Sequence, residues 1–594
     1  MWPFTDSAKR RAERVTARKR TDRASLLARA APYVPGTHEP FVRATAPEIV
    51  RNIELGRWTA AAVVDAYVAR AAVAHAQTNC ITEVLFSQAK EEAAALDREF
   101  AETKRLRGPL HGVPVTFKDQ FDISGWDSSV GFTTWAEQPA TANADIVAQV
   151  RAAGGIALAK TNVPQTMLAF ECANPLWGTT THPRDPAFTC GGSSGGEAAL
   201  LAQDGAAIGW GTDIGGSLRI PAAYCGIYSL KPSSRRVSLR GARDPVSGFE
   251  GVRTVAGPMA RSVEEIELAC RAVFGFDDPC ADVVPLPYRD VVLPPKLKVG
   301  FWTDGNVLRS EREWVFRVLK TISRTDGFAK ASPACKRAVL EAVDALRRDG
   351  HECVEIAVPG GSEAMQLFMG LTSADGYRTV KSHLGPDKME SSLTLTLIGP
   401  TIWGWARQLI VWMLRYVIGD EHYAQFVENG QTKRMDEYYR WNVRRDAYAR
   451  RFYDEVWNKH GLDGIVSPVQ ALPVLAHGQC KKLSGLAHAT VLYNIVDCPV
   501  GVLPVTRVDP KRDALTPEWT KARPGATGSA LLEGMLYRDR RPAYDAAKLA
   551  GMPVGVQLVG RRWEEENVVE MMKVLDRALG VSRGFGPGSV RPPA

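Results

Sequence analysis

The chain has 594 residues, of which 45% are hydrophobic and 24% are charged. This balance is typical of a globular protein and excludes a disordered or fibrous chain. The net charge is +8, and most of the excess comes from basic residues near the start of the chain. Such a basic segment is typical of a solvated peripheral helix. We therefore expect no nucleic-acid partner.

Residues 1–36 predict a basic N-terminal helical extension that ends at a turn near Pro35. Amphipathic helices follow between residues 46 and 100. Short apolar strands and helices then alternate, and the segments that predict this pattern are strand 113–117, helix 145–153, strand 156–159 and the later strands 298–301, 464–467, 500–503 and 553–557. The chain therefore predicts an α/β fold, with a single large mixed β-sheet covered by helices and an N-terminal helical extension.

Cysteine usage and simple motifs set further expectations. The ten cysteines show no CxxC spacing, and no secretory leader is visible, so we expect reduced thiols and a cytoplasmic protein. No apolar run is long enough to predict a membrane-spanning helix. Neither H-E-x-x-H nor a phosphate-binding G-x-x-x-x-G-K-[ST] motif occurs, so no metal and no cofactor are expected.

The first motif with chemical content is Cys190-Gly-Gly-Ser193-Ser194-Gly-Gly-Glu197. Its four glycines permit unusual backbone angles and close approach to a ligand, and a helical run begins directly behind it. A flexible linker would be the alternative interpretation. Linkers do not run straight into a helix on one side and an apolar segment on the other, so a functional loop is favoured.

The second motif is Gly211-Thr-Asp213-Ile214-Gly215-Gly216-Ser217-Leu-Arg219. Two glycines before a serine let successive backbone N–H groups face one point, as an oxyanion hole requires. The predicted donors are the N–H groups of Ile214, Gly215, Gly216 and Ser217. Such donors beside a serine indicate acyl transfer, with Ser217 as the nucleophile. Asp213 and Arg219 are predicted to form a structural pair that braces the loop.

A serine nucleophile needs a base, and no histidine lies in either serine motif. Lys118 instead ends the buried-looking strand 113–117. Burial lowers the pKa of a lysine and leaves a neutral amine that can accept a proton. A lysine at a strand end is more often a snorkelling surface residue, so this assignment depends on all three segments together.

The three segments together resemble the amidase signature family, whose catalytic set is a serine, a cis-serine and a lysine. By this resemblance Lys118 is the base, Ser193 the bridging serine after a cis peptide bond, and Ser217 the nucleophile. The resemblance covers residues 45–580, which are predicted to form the amidase signature domain. It implies a serine amidohydrolase with a small-molecule amide substrate.

The resemblance is closest to the fatty acid amide hydrolase branch, through residues 161–178 and 488–501. It implies that Met167 joins Ser193 and the four N–H donors in substrate binding, and that Met167 and Phe170 line an acyl pocket. Without it, Met167 and Phe170 would be interpreted as ordinary core residues. It leaves open whether the substrate is a short acetamide, a fatty acid primary amide or an N-acylethanolamine, and esters are not excluded.

Two segments outside the motifs carry their own expectations. Residues 398–418 are dense in Trp and aliphatic side chains but contain Pro400, Arg407 and Arg415, a pattern that suits the membrane interface better than its interior. The family resemblance implies a membrane-facing helical cap at these residues, with peripheral membrane contact. The alternatives are a buried helical hairpin or a contact between two copies in a homodimer. Residues 306–324 lie between two copies of Thr-Asp-Gly and are predicted to be a surface insertion or an artefact of the gene model.

The sequence offers three rival functions. Gly191-Gly-Ser193-Ser-Gly195 fits the G-x-S-x-G elbow of a Ser-His-Asp carboxylesterase, but a loop-like segment precedes it and the second serine motif would have no role. A non-catalytic lipid-binding protein of the same fold would not need all three catalytic side chains. The Trp-rich 398–418 stretch disfavours the glutaminase subunit of a tRNA amidotransferase.

Overall fold

The computed structural model describes residues 3–277, 280, 282–303, 327–521 and 528–589. The predicted insertion at 306–324 lies outside the described residues. The first five helices are α1 (Pro3–Leu27), α2 (Pro35–Arg43), α3 (Ala46–Glu54), α4 (Ala60–Thr78) and α5 (Phe86–Thr103). Pro35 begins α2 rather than a turn, because proline fits the first position of a helix, where no N–H bond is lost.

Helix α1 is attached to the body of the protein rather than solvated along its length. Lys19 forms ion pairs with Glu83 and Asp127, and Arg23 donates to the carbonyl of Ile81 at 2.7 Å. Its guanidinium also lies 5.0 Å from the ring centre of Trp177. The basic extension therefore uses several of its charges in contacts with the remainder of the fold.

The described strands form one mixed sheet of eleven strands and a small two-stranded ribbon, β4–β5. The large sheet has the order β1-β3-β2-β6-β8-β7-β12-β13-β11-β9-β10. The strands are β1 (Ile81–Val84), β2 (Pro114–Lys118), β3 (Ile156–Thr161), β4 (Ala173–Asn174), β5 (Gly178–Thr179), β6 (Ile208–Asp213), β7 (Tyr228–Lys231), β8 (Val255–Ala260), β9 (Lys298–Phe301), β10 (Glu352–Glu355), β11 (Gly464–Pro468), β12 (Val500–Arg507) and β13 (Pro553–Val559). The expected single mixed sheet is confirmed.

The remaining α-helices pack around this sheet, and six of them, α11 to α16, follow one another between β10 and β11 without an intervening strand. They are α6 (Asp145–Ala152), α7 (Gly195–Leu201), α8 (Arg219–Cys225), α9 (Val263–Val273), α10 (Pro333–Arg348), α11 (Gly361–Thr372), α12 (Arg378–Ser382), α13 (Thr394–Ile398), α14 (Gly404–Trp412), α15 (Glu421–Asn429), α16 (Met435–Phe452), α17 (Cys480–Leu483), α18 (His488–Ile495), α19 (Pro517–Thr520), α20 (Ala530–Glu533) and α21 (Glu565–Leu579). Helix α14 continues into a π-helical turn, Met413–Ile418. Within the described residues, no helix is long and apolar enough to cross a membrane.

Parallel pairing of β2 with β6 positions the candidate site. Phe117 on β2 pairs with Trp210 on β6, so the carboxyl ends of the two strands meet at one edge of the sheet. All residues of both strands are buried. The segment from Cys190 to Arg219, which holds the two serine motifs, therefore contains the core strand β6 between them, preceded by α7.

Candidate active site

Lys118 is the last residue of β2 and is completely buried. Its Nζ lies 2.7 Å from Ser193 Oγ and 2.8 Å from Thr212 Oγ1. Burial lowers the pKa of this amine to about 7, although the negative charge of Asp213 opposes the shift. Near neutral pH the lysine can therefore be a neutral amine and act as a base.

Two polar neighbours of Lys118 were not predicted from the sequence. Thr212, the penultimate residue of β6, contacts the amine and donates its hydroxyl proton to Gln120 Oε1 at 2.6 Å. Gln120 lies two residues after Lys118, and Thr212 lies in the second serine motif. They meet because β2 and β6 pair in parallel, so that their carboxyl ends are adjacent. Neither motif alone shows this strand pairing, so the sequence did not indicate the two contacts.

Ser193 occupies a tightly packed loop between Cys190 and α7. The Gly192–Ser193 peptide bond is cis, and Gly191 has a φ of +83°. A Cβ on Gly191 would lie 2.8 Å from Pro221 Cα, and one on Gly192 would lie 2.8 Å from Ala169 O. Glycine at both positions therefore lets the loop backbone pack closely against Pro221 and Ala169, where a larger residue would clash. In this position the Ser193 hydroxyl contacts Lys118.

Ser217 lies on the neighbouring loop after β6 and is half-buried. Its carbonyl accepts a hydrogen bond from Ser194 N at 3.1 Å, which ties the two serine loops together. In the described part of the chain no hydrogen bond joins the hydroxyls of Ser217 and Ser193. Catalytic hydrogen bonds often tighten only when substrate is bound, so the arrangement is compatible with proton transfer between these serines.

The predicted pair of Asp213 and Arg219 is present and braces the Ser217 loop. Arg219 donates to both carboxylate oxygens of Asp213, at 2.9 and 3.0 Å, and both side chains are fully buried. Burial alone would raise the pKa of Asp213, but the Arg219 guanidinium outweighs it and holds the pKa below its usual range. The same carboxylate accepts from the N–H groups of Gly216 and Leu218.

The Gly216 contact modifies the predicted oxyanion hole. Gly216 N–H donates to Asp213 at 2.8 Å, so it is not free in this structure. No acceptor bonds the N–H groups of Ile214, Gly215 and Ser217 within the described residues. The loop thus uses the Gly216 N–H for its own bracing, and the predicted oxyanion-hole role of these four N–H groups stays a prediction.

A cavity of about 350 Å³ opens beside this loop. Ile214 and Leu168 form part of its wall, and most of its other lining comes from residues 246–249, 371–379 and 433–438. Met167 and Phe170, the predicted acyl-pocket residues, are not in this wall, although Leu168 between them is. Their roles in substrate binding stay a prediction.

Glu197 is a buried acid next to the site that the sequence did not single out. It lies on α7 and accepts hydrogen bonds from Thr116 on β2 and Thr161 on β3, at 2.6 and 2.9 Å. Burial raises the pKa of this carboxyl to about 8, while the two hydroxyls oppose the shift. A Cβ on Gly209 would lie 2.2 Å from its Oε2, so the glycine of β6 makes room for it.

The contacts of Ser193 do not match a Ser-His-Asp esterase. Its hydroxyl is bonded to Lys118 rather than to a histidine. The segment before Cys190 is a loop whose strand-like pairing is limited to isolated bridges, between Thr181 and Thr189 and between Phe188 and Ala476. A nucleophile elbow follows a strand instead. The geometry therefore favours the lysine-based arrangement.

The family model described as Amidase matches residues 62–569. The chain belongs to the amidase family. This match covers both serine motifs and Lys118, and the mixed sheet is the amidase signature fold. The chain is thus a serine amidohydrolase, an enzyme that hydrolyses amide bonds.

Named relatives within the amidase family differ in substrate. The chain is 33% identical over 91% of its length to "Putative amidase kk1C" of Curvularia clavata, covering 89% of that protein. It is 30% identical to "Fatty-acid amide hydrolase 1" of Sus scrofa, over 90% of this chain and 86% of the relative. It is 29% identical to "Acetamidase" of Aspergillus oryzae, over 91% and 90%.

Among solved structures, "Fatty acid amide hydrolase" superposes with a TM-score of 0.77 at 26% identity, covering 92% of this chain and 86% of that one. A 6-aminohexanoate cyclic dimer hydrolase superposes with a TM-score of 0.65 at 20% identity, covering 93% and 100%, a likeness of fold alone. These amidases act on unlike amides, so family membership establishes the bond that is cleaved but not the substrate.

Proposed function

We propose that this amidase cleaves fatty acid amides, either primary amides or N-acylethanolamines, through an acyl-enzyme on Ser217. The observation that carries the lipid part of the proposal is a large exposed apolar surface next to the cavity that reaches Ile214. The names of the porcine relative and of the structural neighbour support it.

The chemistry follows from the contacts of Lys118. In the neutral state its lone pair accepts the Ser193 proton, and Ser193 takes the proton of Ser217 as Ser217 Oγ attacks the substrate carbonyl. The N–H groups of Ile214, Gly215 and Ser217 stabilise the negative oxygen of the tetrahedral intermediate. The proton then returns through Ser193 to the leaving nitrogen, the C–N bond breaks, and water hydrolyses the acyl-enzyme by the same route.

Large exposed apolar side chains lie on α13, α14, the π-turn 413–418 and the first half of α16, and these are the residues called the apolar surface. A hydrogen bond from Arg407 to Gln431 links α14 to the segment before α16. Trp403 is 73% exposed and Trp405 is 68% exposed. The other large exposed hydrophobic residues in this surface are Leu395, Ile398, Leu409, Ile410, Trp412, Met413, Tyr416, Val417, Ile418, Met435, Tyr439 and Val443. A patch of this size marks a binding surface rather than ordinary solvent-exposed protein.

The two arginines that interrupt this stretch are used internally. Arg407 is buried and donates to the carbonyls of Gly399 and Pro400, both at 3.1 Å. Arg415 is paired with Glu421 and Glu428. The outward face is therefore apolar and rich in tryptophan, as expected for a surface that lies in the membrane interface.

The apolar surface continues into the cavity. Met435 is 65% exposed on α16 and also lines the cavity wall that includes Ile214. A lipid amide in the membrane interface would thus have an apolar path to the Ser217 loop. We propose peripheral membrane contact at this surface, and a homodimer that covers the same face is the competing arrangement.

The test is the rate of hydrolysis of a series of primary amides and ethanolamides with acyl chains from acetyl to oleoyl, with Ser217→Ala as the blank. We expect kcat/KM to rise with chain length and activity to vanish in Ser217→Ala. A preference for acetamide would contradict the lipid assignment while leaving the amidase chemistry intact.

A further inference from the structure

A second cavity, of about 330 Å³, borders the N-terminal half of α16. Three basic side chains line it, those of Lys433, Arg440 and Arg444, and within the described residues Glu437 is the acid in its wall. Burial lowers the pKa of Lys433 to about 8, so its amine is mainly protonated at neutral pH. The proposed hydrolysis at Ser217 makes no use of this cavity, and its excess of positive charge indicates a site for an anion.

Two of these cations are held against the same indole ring. Lys433 Nζ lies 4.9 Å and the guanidinium carbon of Arg444 lies 4.3 Å from the ring centre of Trp441. Lys433 Nζ also donates to the carbonyls of Asn429 and Gln431, at 2.8 and 2.9 Å, and these two contacts use two of its three protons. In the described part of the chain, neither cation forms an ion pair with a carboxylate.

The other two charged groups of the wall already have partners. Arg440 donates to Asp436 at 2.9 Å, and Glu437 accepts from a backbone N–H at the start of α16, also at 2.9 Å. The negative charge of Glu437 raises the pKa of Lys433, while the positive charge of Arg444 lowers it. The positive charges without a direct counter-ion are therefore those of Lys433 and Arg444.

On α16 the cavity lies next to the apolar surface. Met435, Tyr439 and Val443 of that surface recur every four residues, so they share one face of the helix, and they are 65%, 62% and 65% exposed. Arg440 and Arg444 each follow one of these residues and form the adjacent row of the helix. Exposed apolar and basic side chains thus lie side by side.

The cavity is also linked to α14. Gln431, in the cavity wall, accepts a hydrogen bond from Arg407 of α14 at 2.8 Å. The same helix carries Trp405 and Trp412 of the apolar surface, which are 68% and 53% exposed. Basic side chains beside exposed tryptophans are typical of proteins that place apolar groups in a membrane interface while their cations contact anionic headgroups.

We infer that this cavity binds the phosphate of an anionic phospholipid headgroup and prefers a phosphate monoester, as in phosphatidic acid. The inference rests on the proposed peripheral membrane contact and adds the class of lipid that the protein recognises. The Arg444 guanidinium donates to two phosphate oxygens, and the remaining proton of Lys433 is donated to the third. A phosphate monoester carries about 1.5 to 2 negative charges at neutral pH, which matches the two cations that lack a carboxylate partner.

Sedimentation of the wild-type chain with vesicles tests this site. The vesicles contain phosphatidylcholine alone, or phosphatidylcholine with either phosphatidic acid or phosphatidylglycerol, a phosphodiester, at matched surface potential. We expect the vesicles with phosphatidic acid to be bound about tenfold more tightly than those with phosphatidylglycerol, the range for a hydrogen bond between charged groups. Equal binding to the two anionic vesicles would show that only the surface potential attracts the protein, and would overturn the inference.

Variants then assign the preference to the cavity. Arg444→Gln and Lys433→Met should each remove most of the preference for phosphatidic acid. Arg434→Gln is the matched control, because Arg434 is 83% exposed, neighbours Lys433 in the chain and lies outside the cavity wall. It should weaken binding to both anionic vesicles by the same factor. Loss of the preference in Arg434→Gln would contradict the site, and Arg444, which is exposed, provides a variant even if Lys433→Met does not fold.

A soluble phosphate monoester distinguishes a lipid headgroup from free phosphate. Glycerol 3-phosphate carries the same phosphate without acyl chains, so it should release the protein from phosphatidic acid vesicles only in large excess over the accessible lipid. Release at equal concentrations would assign the cavity to a soluble phosphate and overturn its role at the membrane.

This inference and the proposed function fail in different ways. If long acyl amides in detergent solution are preferred but phosphatidic acid and phosphatidylglycerol vesicles are bound equally, only the headgroup site fails. If phosphatidic acid is preferred but long acyl amides are not, the lipid amide assignment fails and the headgroup site stands. If the protein binds none of the vesicles, the membrane contact and the headgroup site both fail.

Discussion

Lys118 Nζ and Ser193 Oγ lie 2.7 Å apart, and neither side chain is more than 2% exposed. An amine in water would be protonated at neutral pH, but here hydration of the charged form is lost. When the amine is neutral, its lone pair can accept the Ser193 proton. The contact thereby joins the base to the bridging serine of the candidate site.

The pH dependence of activity should report on this amine. Only neutral Lys118 accepts a proton, and its pKa lies at about 7, so kcat/KM should rise as the pH increases through about 7 and level off above it. Lys118→Arg should lower kcat/KM by about a thousandfold, within the range for loss of a general base, and remove this titration. A pH profile that is flat between mildly acidic and mildly alkaline conditions would contradict the assignment.

Thr212 should tune the same titration. Its hydroxyl accepts a hydrogen bond from Lys118 at 2.8 Å and thus favours the ammonium form. Thr212→Val, which keeps the shape and removes the hydroxyl, should move the midpoint of the pH profile to lower pH. Thr212→Ser keeps the hydroxyl and is the matched control. An unchanged midpoint in Thr212→Val would show that the contact has no electrostatic effect on Lys118.

Asp213 should matter for stability as well as activity. Asp213→Asn leaves the buried Arg219 guanidinium without its counter-charge, so we expect a loss of about 3–5 kcal/mol in the free energy of unfolding, measured by urea denaturation. Arg440→Ala removes an exposed pair with Asp436, in which Arg440 is 67% exposed, and should cost no more than about 0.5 kcal/mol. Equal losses in the two variants would contradict the bracing role.

Much of the site could be predicted from sequence because its chemistry is local. Lys118, Ser193 and Ser217 each lie in a short motif. Apolar runs predict the strand that precedes Lys118 and the helix that follows the Ser193 motif. Strand β6 was missed because its sequence, Ile-Gly-Trp-Gly-Thr-Asp, contains two glycines. Their role becomes visible only when Gly209 is seen to make room for the Glu197 carboxyl.

Contacts between distant segments could not be predicted. The commitment of Gly216 N–H to Asp213 depends on the turn of the loop, and the cavity wall combines residues near 168, 246, 371 and 433. No periodicity within one segment carries that information. The boundaries of the N-terminal extension, the amidase domain and the membrane-facing cap stay predictions for the same reason.

Trp403, which precedes α14, and Trp405, in its first turn, should control membrane binding. Replacing both Trp403 and Trp405 with Ala removes two side chains that are 73% and 68% exposed, and should weaken sedimentation with phosphatidylcholine vesicles by tenfold or more, since burial of each indole in the interface is favourable. Val292→Ala, at a residue that is 98% exposed and lies outside this surface, is the control.

Two outcomes would count against the membrane assignment. Vesicle binding that is unchanged in the double variant would exclude this surface as the contact. If the wild-type protein instead sediments as a dimer without lipid, and the double variant as a monomer, the surface is a contact between two copies of the chain.

The most direct test of the account is identification of the residue that becomes acylated. The enzyme would be mixed rapidly with the 4-nitrophenyl ester of a fatty acid, quenched in acid, digested and analysed by mass spectrometry. The account predicts one acyl group per chain, on the peptide that contains Ser217, and none in Ser217→Ala. An acyl group on Ser193 in the wild-type enzyme, retained in Ser217→Ala, would contradict it and would support the esterase elbow.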